Sequence, residues 1–279
     1  MPLDALCLTA VAAELRAAVA GGKIDKLYQP TRDEVVLYVR GQGENVRLLL
    51  SANPGHPRAN LTTLNRENPE QPPMFCMLLR KHLQGARILE LNQPPLELIL
   101  EFRLETLDEL GDRVERRLVL EAMGRRSNLI LLDGENRVID CMRRVDVEMS
   151  AQRQVLPGLF YEQPASTGRL PLLEETEAGF DEHLADVPQE TQLDRFLLDT
   201  YFGISPLMAR ELAFRVCGET YGRVCQLDEA GRVYFNNVFF SFISTIKENN
   251  FTATLLKLNG ELFDFAALPI HQYGAAVES

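Results

Sequence analysis

The densest chemistry in this chain sits between two apolar runs. In LVLEAMGRRSNLILLD, Gly124, Arg125, Arg126, Ser127 and Asn128 interrupt the stretch from Leu118 to Asp133. Two guanidiniums, a hydroxyl and an amide on one hairpin corner are suited to phosphate or carboxylate oxygens. A second basic group, Arg80, Lys81 and His82, closes the segment MFCMLLRKHLQ. Each group also has an ordinary reading: turns are polar in any case, and basic residues in the last turn of a helix complement its dipole. No nucleophilic constellation accompanies them. G-x-S-x-G, the P-loop, G-x-G-x-x-G and H-E-x-x-H are all absent, and the histidines (His56, His82, His183, His271) are scattered. Hydrolytic and nucleotide-dependent chemistry therefore has nothing to rest on, and no cofactor is expected.

The balance of charge narrows the partners. A net charge of −11 excludes a uniformly basic nucleic-acid binder, so any contact with a polyanion must come from a local patch. Residues 1–150 carry 20 Lys+Arg against 22 Asp+Glu, and the rest of the chain carries 9 against 18, so the arginine clusters lie in the less acidic half. Five cysteines, odd in number and without a C-x-x-C pair, predict reduced thiols, no zinc site and a cytoplasmic protein. The first residues lack the basic start of a secretory signal, and no run of 18 apolar residues predicts a membrane span.

The elements that must hold these groups follow from periodicity. Leu8, Val11, Ala12, Leu15, Ala18 and Val19 predict a first helix of about five turns, stopped at Gly21-Gly22. KIDKLYQ, EVVLYVR and VRLLLS predict a meander over 23–51, and Ala52 to Pro73 reads as a loop. Pro72-Pro73 and Gly85 bracket a second helix whose Phe75, Met77, Leu78 and Leu79 are expected to face inward. ARILELN, LELILEF, RRLVLEAM, NLILLD and RVIDCM continue as strands, with a hairpin turn at Asp133–Asn136. The acidic stretch around Glu174, Glu175 and Glu177 reads as a solvated face or linker. Beyond it, TQLDRFLLDTYFGISPLMARELAFRVCG predicts two helices joined at Gly203-Ile204, with Ser205 as N-cap and Pro206 in the first turn. That junction offers backbone N–H groups to a phosphate, or serves plain packing. A strongly apolar helix and a hairpin turning at Asn259-Gly260 complete the chain.

Two resemblances bear on function. FGISPLMARELAFRVCG resembles the helix-two-turn-helix of the formamidopyrimidine-DNA glycosylases, and loss of Met1 would expose Pro2 as a secondary amine of the kind those enzymes use. Their carboxylate neighbour is displaced here to Asp4, and their closing zinc ribbon is absent from the sequence. The second resemblance is broader. GGKIDKLYQP, LLLSANPGHPR, ENPEQPPMFCMLLRKHLQG, EAMGRRSNLILLD, VLPG and FGISPLMARELAFR, in that order over residues 1–270, resemble the RqcH/NEMF ribosome-quality-control family, older label fibronectin-binding protein A-like.

That resemblance implies an α+β fold: a mixed or antiparallel glycosylase-like NFACT-N domain over 1–170, then a mainly helical, helix-hairpin-helix-like domain with a terminal β-hairpin over 171–279. It also implies a coiled coil and a C-terminal RNA-binding module, neither of which falls in this sequence, so a longer protein is expected. By the same resemblance the partners are the large ribosomal subunit obstructed by peptidyl-tRNA and alanyl-tRNA, recruited for C-terminal alanine tailing. The ribosome performs the peptidyl transfer, so a non-enzymatic, RNA-gripping role is expected. The family's acidic position in the first helix falls on Asp4, which would accept hydrogen bonds from bases or ribose, or simply serve the helix terminus. Its Asp-Arg pair for tRNA recruitment falls on Glu97 and Leu98, so the carboxylate is kept and the guanidinium lost; Leu98 also reads as an apolar strand residue. Arg80, Lys81, His82, Arg125, Arg126, Ser127 and Asn128 are the candidates for tRNA or rRNA backbone contacts. The rival readings are a DNA glycosylase/lyase acting through Pro2 and an adhesin binding fibronectin.

Overall fold

A computed structural model describes residues 3–41, 43–165 and 168–274. Residues 11–165 form one compact unit, and residues 3–10 with 168–274 form the other.

Helix α1 (Ala5–Val19) is about four turns long, and Gly21, at φ 75°, ends it in the left-handed region. Strands β1 (Lys23–Thr31), β2 (Glu34–Arg40) and β3 (Asn45–Ser51) form the expected meander. The stretch read as a loop contains a further strand, β4 (Arg58–Leu61), paired with the end of β3 from Leu48↔Leu61 to Ser51↔Arg58. Four residues behind a proline carry too little alternation to announce a strand, and pairing with β3 supplies what local pattern lacks.

Helix α2 (Met74–Leu83) buries Phe75, Cys76, Leu79 and Leu83. Met77, expected inside, is half exposed, because the inward stripe follows spacings of three and four from Phe75 and Cys76. Strands β5 (Arg87–Asn92), β6 (Ile99–Leu107), β7 (Arg113–Glu121), β8 (Asn128–Asp133) and β9 (Val138–Cys141) complete a nine-stranded antiparallel sheet ordered β4-β3-β2-β1-β5-β6-β7-β8-β9. Its halves join at one register pair, Lys23↔Arg87. On β6, Leu100, Phe102 and Leu104 alternate into the core. The opposite face, with Ile99, Val119, Ile130 and Leu132, packs under Val155 and Tyr161 of the irregular segment that follows β9.

In the other unit, strand β10 (Leu170–Pro171) pairs in parallel with β11 (Tyr201–Phe202). The acidic stretch is not a linker. Thr176 caps helix α3 (Glu177–Asp186) through Gly179 N, and Phe180 and Leu184 are buried. Only two large apolar residues, Phe180 and Leu184, four apart, mark this helix, and the acids around them mask it in the sequence. Helices α4 (Leu193–Thr200) and α5 (Pro206–Cys217) form the expected pair, with Ser205 Oγ accepting from Met208 N at 3.4 Å. Helix α6 (Glu229–Lys247) adds Phe235 and Phe239 to an aromatic core with Phe180, Phe196 and Tyr201. The hairpin of β12 (Thr254–Leu258) and β13 (Glu261–Ala266) turns at Asn259-Gly260, both at positive φ.

Candidate nucleic-acid interface

The corner between β7 and β8 is a single 3-10 turn, Gly124–Arg126, opened by Gly124 at φ 58°. Its donors divide by burial. Arg125 and Arg126 are exposed, and neither has an ion-pair partner among the described residues. Ser127 and Asn128 are buried. Asn128 is committed to the fold: its Oδ1 accepts from Leu129 N (3.0 Å) and Arg143 N (2.9 Å), and its Nδ2 donates to Arg143 O (2.7 Å). Ser127 Oγ is buried with no hydrogen-bond partner.

Several turns meet this corner. Leu98 O accepts from Ala122 N at 2.8 Å, which seats the β5–β6 turn beside it. The Pro54 carbonyl oxygen lies 4.0 Å from where a Cβ on Gly124 would stand, so the β3–β4 loop reaches it as well. Arg143 Nη2 reaches Asp33 Oδ1 at 2.7 Å, and Asp33 O accepts from Ala52 N at 2.8 Å, tying in the β1–β2 turn. The convergence gathers many arginines, and the local carboxylates neutralise only some. Buried Glu34 engages both Arg58 (3.0 Å) and Arg66, and Asp33 engages Arg143. Arg32, Arg125 and Arg126 are exposed without a carboxylate partner among the described residues.

Behind the corner a buried ion cluster fixes its shape. Glu121, the last residue of β7, is 1% exposed and accepts from both terminal nitrogens of Arg153 and, at 2.9 Å, from the Tyr161 hydroxyl. Burial, and then the Glu121 charge, push the Tyr161 phenol up, so it remains a donor.

Glu97 and Leu98 lie in the β5–β6 turn and not on the strand, which starts at Ile99; Leu98 is therefore not an alternating strand residue. Leu96, buried at φ 55°, holds this turn in a conformation that non-glycine residues rarely adopt. It delivers Glu97 half-buried, with no cation partner among the described residues, and burial pushes its carboxyl up. A carboxylate made more basic in this way is a stronger acceptor for an N–H or hydroxyl of a ligand.

The basic end of α2 is arranged differently. Arg80 Nε donates to Leu27 O at 2.9 Å, with its guanidinium 5.3 Å from the Tyr28 ring centre. Lys81 pairs with Glu109 at 2.7 Å. Burial, then the Arg116 and Lys81 charges, lower the His82 pKa, against a smaller pull from Glu109. Asp4 belongs to the other unit and caps α1: its Oδ1 accepts from Cys7 N (2.8 Å) and its carbonyl from Leu8 N (3.0 Å). Pro2 lies outside the described residues. Among the described residues no group of His, Cys, Asp and Glu could hold a metal, and no helix is long and apolar enough to cross a membrane. Cys7, Cys76 and Cys141 are buried and unpaired, whereas Cys225 is exposed.

The model of the NFACT N-terminal and middle domains matches residues 4–279. The chain belongs to the RqcH/NEMF family. The Rqc2 homologue RqcH of Bacillus subtilis is 34% identical over 277 residues, 99% of this chain and 46% of that protein. RqcH of Streptococcus suis is 40% identical over 171 residues, 61% of this chain and 31% of that protein. The chain thus spans about half the length or less of these relatives. Among solved structures, the N-terminal part of the Streptococcus suis fibronectin/fibrinogen-binding protein superposes with a TM-score of 0.78 at 32% identity, covering 96% of this chain and 91% of the other. The Staphylococcus aureus fibrinogen binding protein superposes at 0.80 with 26% identity, covering 100% and 94%.

The sequence pointed to the Gly124–Asn128 corner and to Glu97. It did not reveal that the turns carrying Asp33, Pro54 and Arg143 join them, because those contacts link residues up to 110 positions apart. The only local signals were turn residues, Arg32-Asp33 and Asn53-Pro54-Gly55.

Proposed function

We propose that this chain is the RNA-gripping part of a ribosome quality-control factor in the cytoplasm. In this reading it binds the obstructed large ribosomal subunit and recruits alanyl-tRNA, and the ribosome adds a C-terminal alanine tail to the stalled chain. The observation that carries the proposal is the joining of unpaired Arg125 and Arg126 to the turn presenting unpaired, half-buried Glu97. Guanidiniums without carboxylate partners are free for RNA phosphates, and the carboxylate suits a base or ribose donor. The chain is not an enzyme in this account: its residues hold RNA in place, and positioning is its whole contribution to peptidyl transfer.

Purified protein is expected to bind tRNA in a salt-dependent manner and to co-sediment with large subunits carrying peptidyl-tRNA. Absence of both at low salt overturns the proposal. Leu98→Arg restores the guanidinium that the family carries beside the acid, and alanine tailing in cells is expected to increase. The names of the solved relatives favour a second reading, attachment to fibronectin or fibrinogen. Surface labelling of intact cells together with binding to immobilised fibronectin would support it, and a pool confined to the cell interior would end it.

A further inference from the structure

The nine-stranded sheet is built of two half-sheets that meet at one end. Lys23↔Arg87 is the register pair that joins β1 to β5, and beside it Ile24 N donates to Ala86 O at 2.9 Å and Gly85 N to Ile24 O at 2.7 Å. Strand β1 then runs on to Thr31 paired with β2, so the β1–β2 turn stands about 25 Å along the strand from that junction. At this far end an ion pair spans the two halves: Arg143 Nη2 donates to Asp33 Oδ1 at 2.7 Å, with the side chains only 25% and 19% exposed.

Each partner is fixed to its own half. On the β1–β2 side, Asp33 O accepts from Ala52 N at 2.8 Å, Gln29 Nε2 donates to Arg32 O at 3.1 Å, and buried Glu34 holds Arg58 and Arg66. On the other side, Met142 N donates to Leu129 O at 2.8 Å, and Val145 and Val155 exchange both backbone bonds at 3.0 and 2.8 Å. The backbone bearing Arg143 is therefore held whether or not the Asn128 amide is present. A short charge-assisted bond between two such mounts fixes the separation of what they carry. One carries Arg32, exposed and without a carboxylate partner among the described residues, and the other adjoins the corner of Arg125 and Arg126.

We propose that Asp33 and Arg143 are positioning residues: their pair clasps the open end of the sheet and sets Arg32 at a fixed reach from the corner, where it is a third guanidinium on the RNA backbone. Phosphates recur at set intervals, so cations on separate mounts bind them together only while the mounts keep their distance. The two roles open to Asp33 have opposite signs. As a bare charge it opposes a phosphate, and as one half of the clasp it favours binding. The proposal deepens the RNA-binding reading and rests on it.

The test is anisotropy of labelled tRNA with the full chain over a salt series, on samples whose folded fraction is known from their unfolding curves. Asp33→Asn removes a negative charge and frees Arg143, so charge alone calls for tighter binding and a steeper log–log slope. The clasp instead calls for about fivefold weaker binding and a slope shallower by about 0.7. Arg143→Gln should lose as much, and the exchange Asp33→Arg/Arg143→Asp should return affinity to within about twofold of the parent. Arg32→Gln should cost about fivefold in the parent and less than about twofold in the Asp33→Asn background, where the loosened turn has already withdrawn that contact. Binding by Asp33→Asn at or above the parent level overturns the clasp, as does an exchange variant as weak as the single ones or an Arg32→Gln loss that adds in full. If the parent binds tRNA and the variants behave in one of those ways, only the clasp falls; if the parent binds no RNA, the functional proposal falls and the clasp with it.

Discussion

Two basic clusters look alike in the sequence, and the structure treats them in opposite ways. At the end of α2, Arg80 is held by a backbone carbonyl, Lys81 by Glu109, and His82 is kept towards its neutral form. At the β7–β8 corner, Arg125 and Arg126 have no partner among the described residues, while their neighbours Ser127 and Asn128 turn inward. Whether a cation is available to a ligand thus depends on which distant carboxylates the fold brings to it. Here Glu34 and Asp33 engage Arg58, Arg66 and Arg143 and leave the corner pair unneutralised.

The contrast breaks most severely if the corner's foundation is removed. Glu121→Ala leaves the Arg153 guanidinium and the Tyr161 hydroxyl without their carboxylate, and a loss of about 3–5 kcal/mol is expected in urea denaturation. Asn128→Ala comes next, at about 1–3 kcal/mol, since the amide holds β8 to the chain at Arg143. Its tRNA affinity, measured on the folded fraction, should stay close to that of the parent, because Asn128 faces inward. A tenfold loss of affinity at unchanged stability would instead make Asn128 an RNA contact.

The α2 cluster should respond weakly, and to pH. The His82 pKa is lowered in the folded state, so the unfolded chain takes up the proton first as pH falls. Its contribution is complete above the unfolded value near 6.5 and is lost as pH drops towards the folded one. His82→Gln should flatten the fall in unfolding midpoint between pH 7 and 5. Smallest of all, Lys81→Ala should leave the unfolding midpoint unchanged, because its pair with Glu109 is exposed, and tRNA affinity within twofold, because Glu109 at 2.7 Å already offsets its charge.

The legible and the hidden parts of this molecule differ in range. Helix caps such as Ser205-Pro206 and turns such as Asn259-Gly260 are local and could be read directly from residue type. Strand β4 depends on pairing with β3, and α3 on packing of Phe180 into the aromatic core, so neither announced itself. The site divides in the same way. Residue type marked the corner, but separating its exposed guanidiniums from its structural amide required knowing that Arg143 folds back onto Asn128 and Asp33.

The central claim is that the corner guanidiniums, and not the Lys81 ammonium at the α2 end, hold RNA phosphates. The most direct test is the salt dependence of tRNA binding by Arg125→Gln/Arg126→Gln, compared with Lys81→Gln. For the double variant we predict at least tenfold weaker binding at low salt and a log–log slope shallower by about 1.5, with the Lys81 variant matching the parent. A double variant that keeps the parent slope and affinity, or a Lys81 variant that loses as much, would contradict the account.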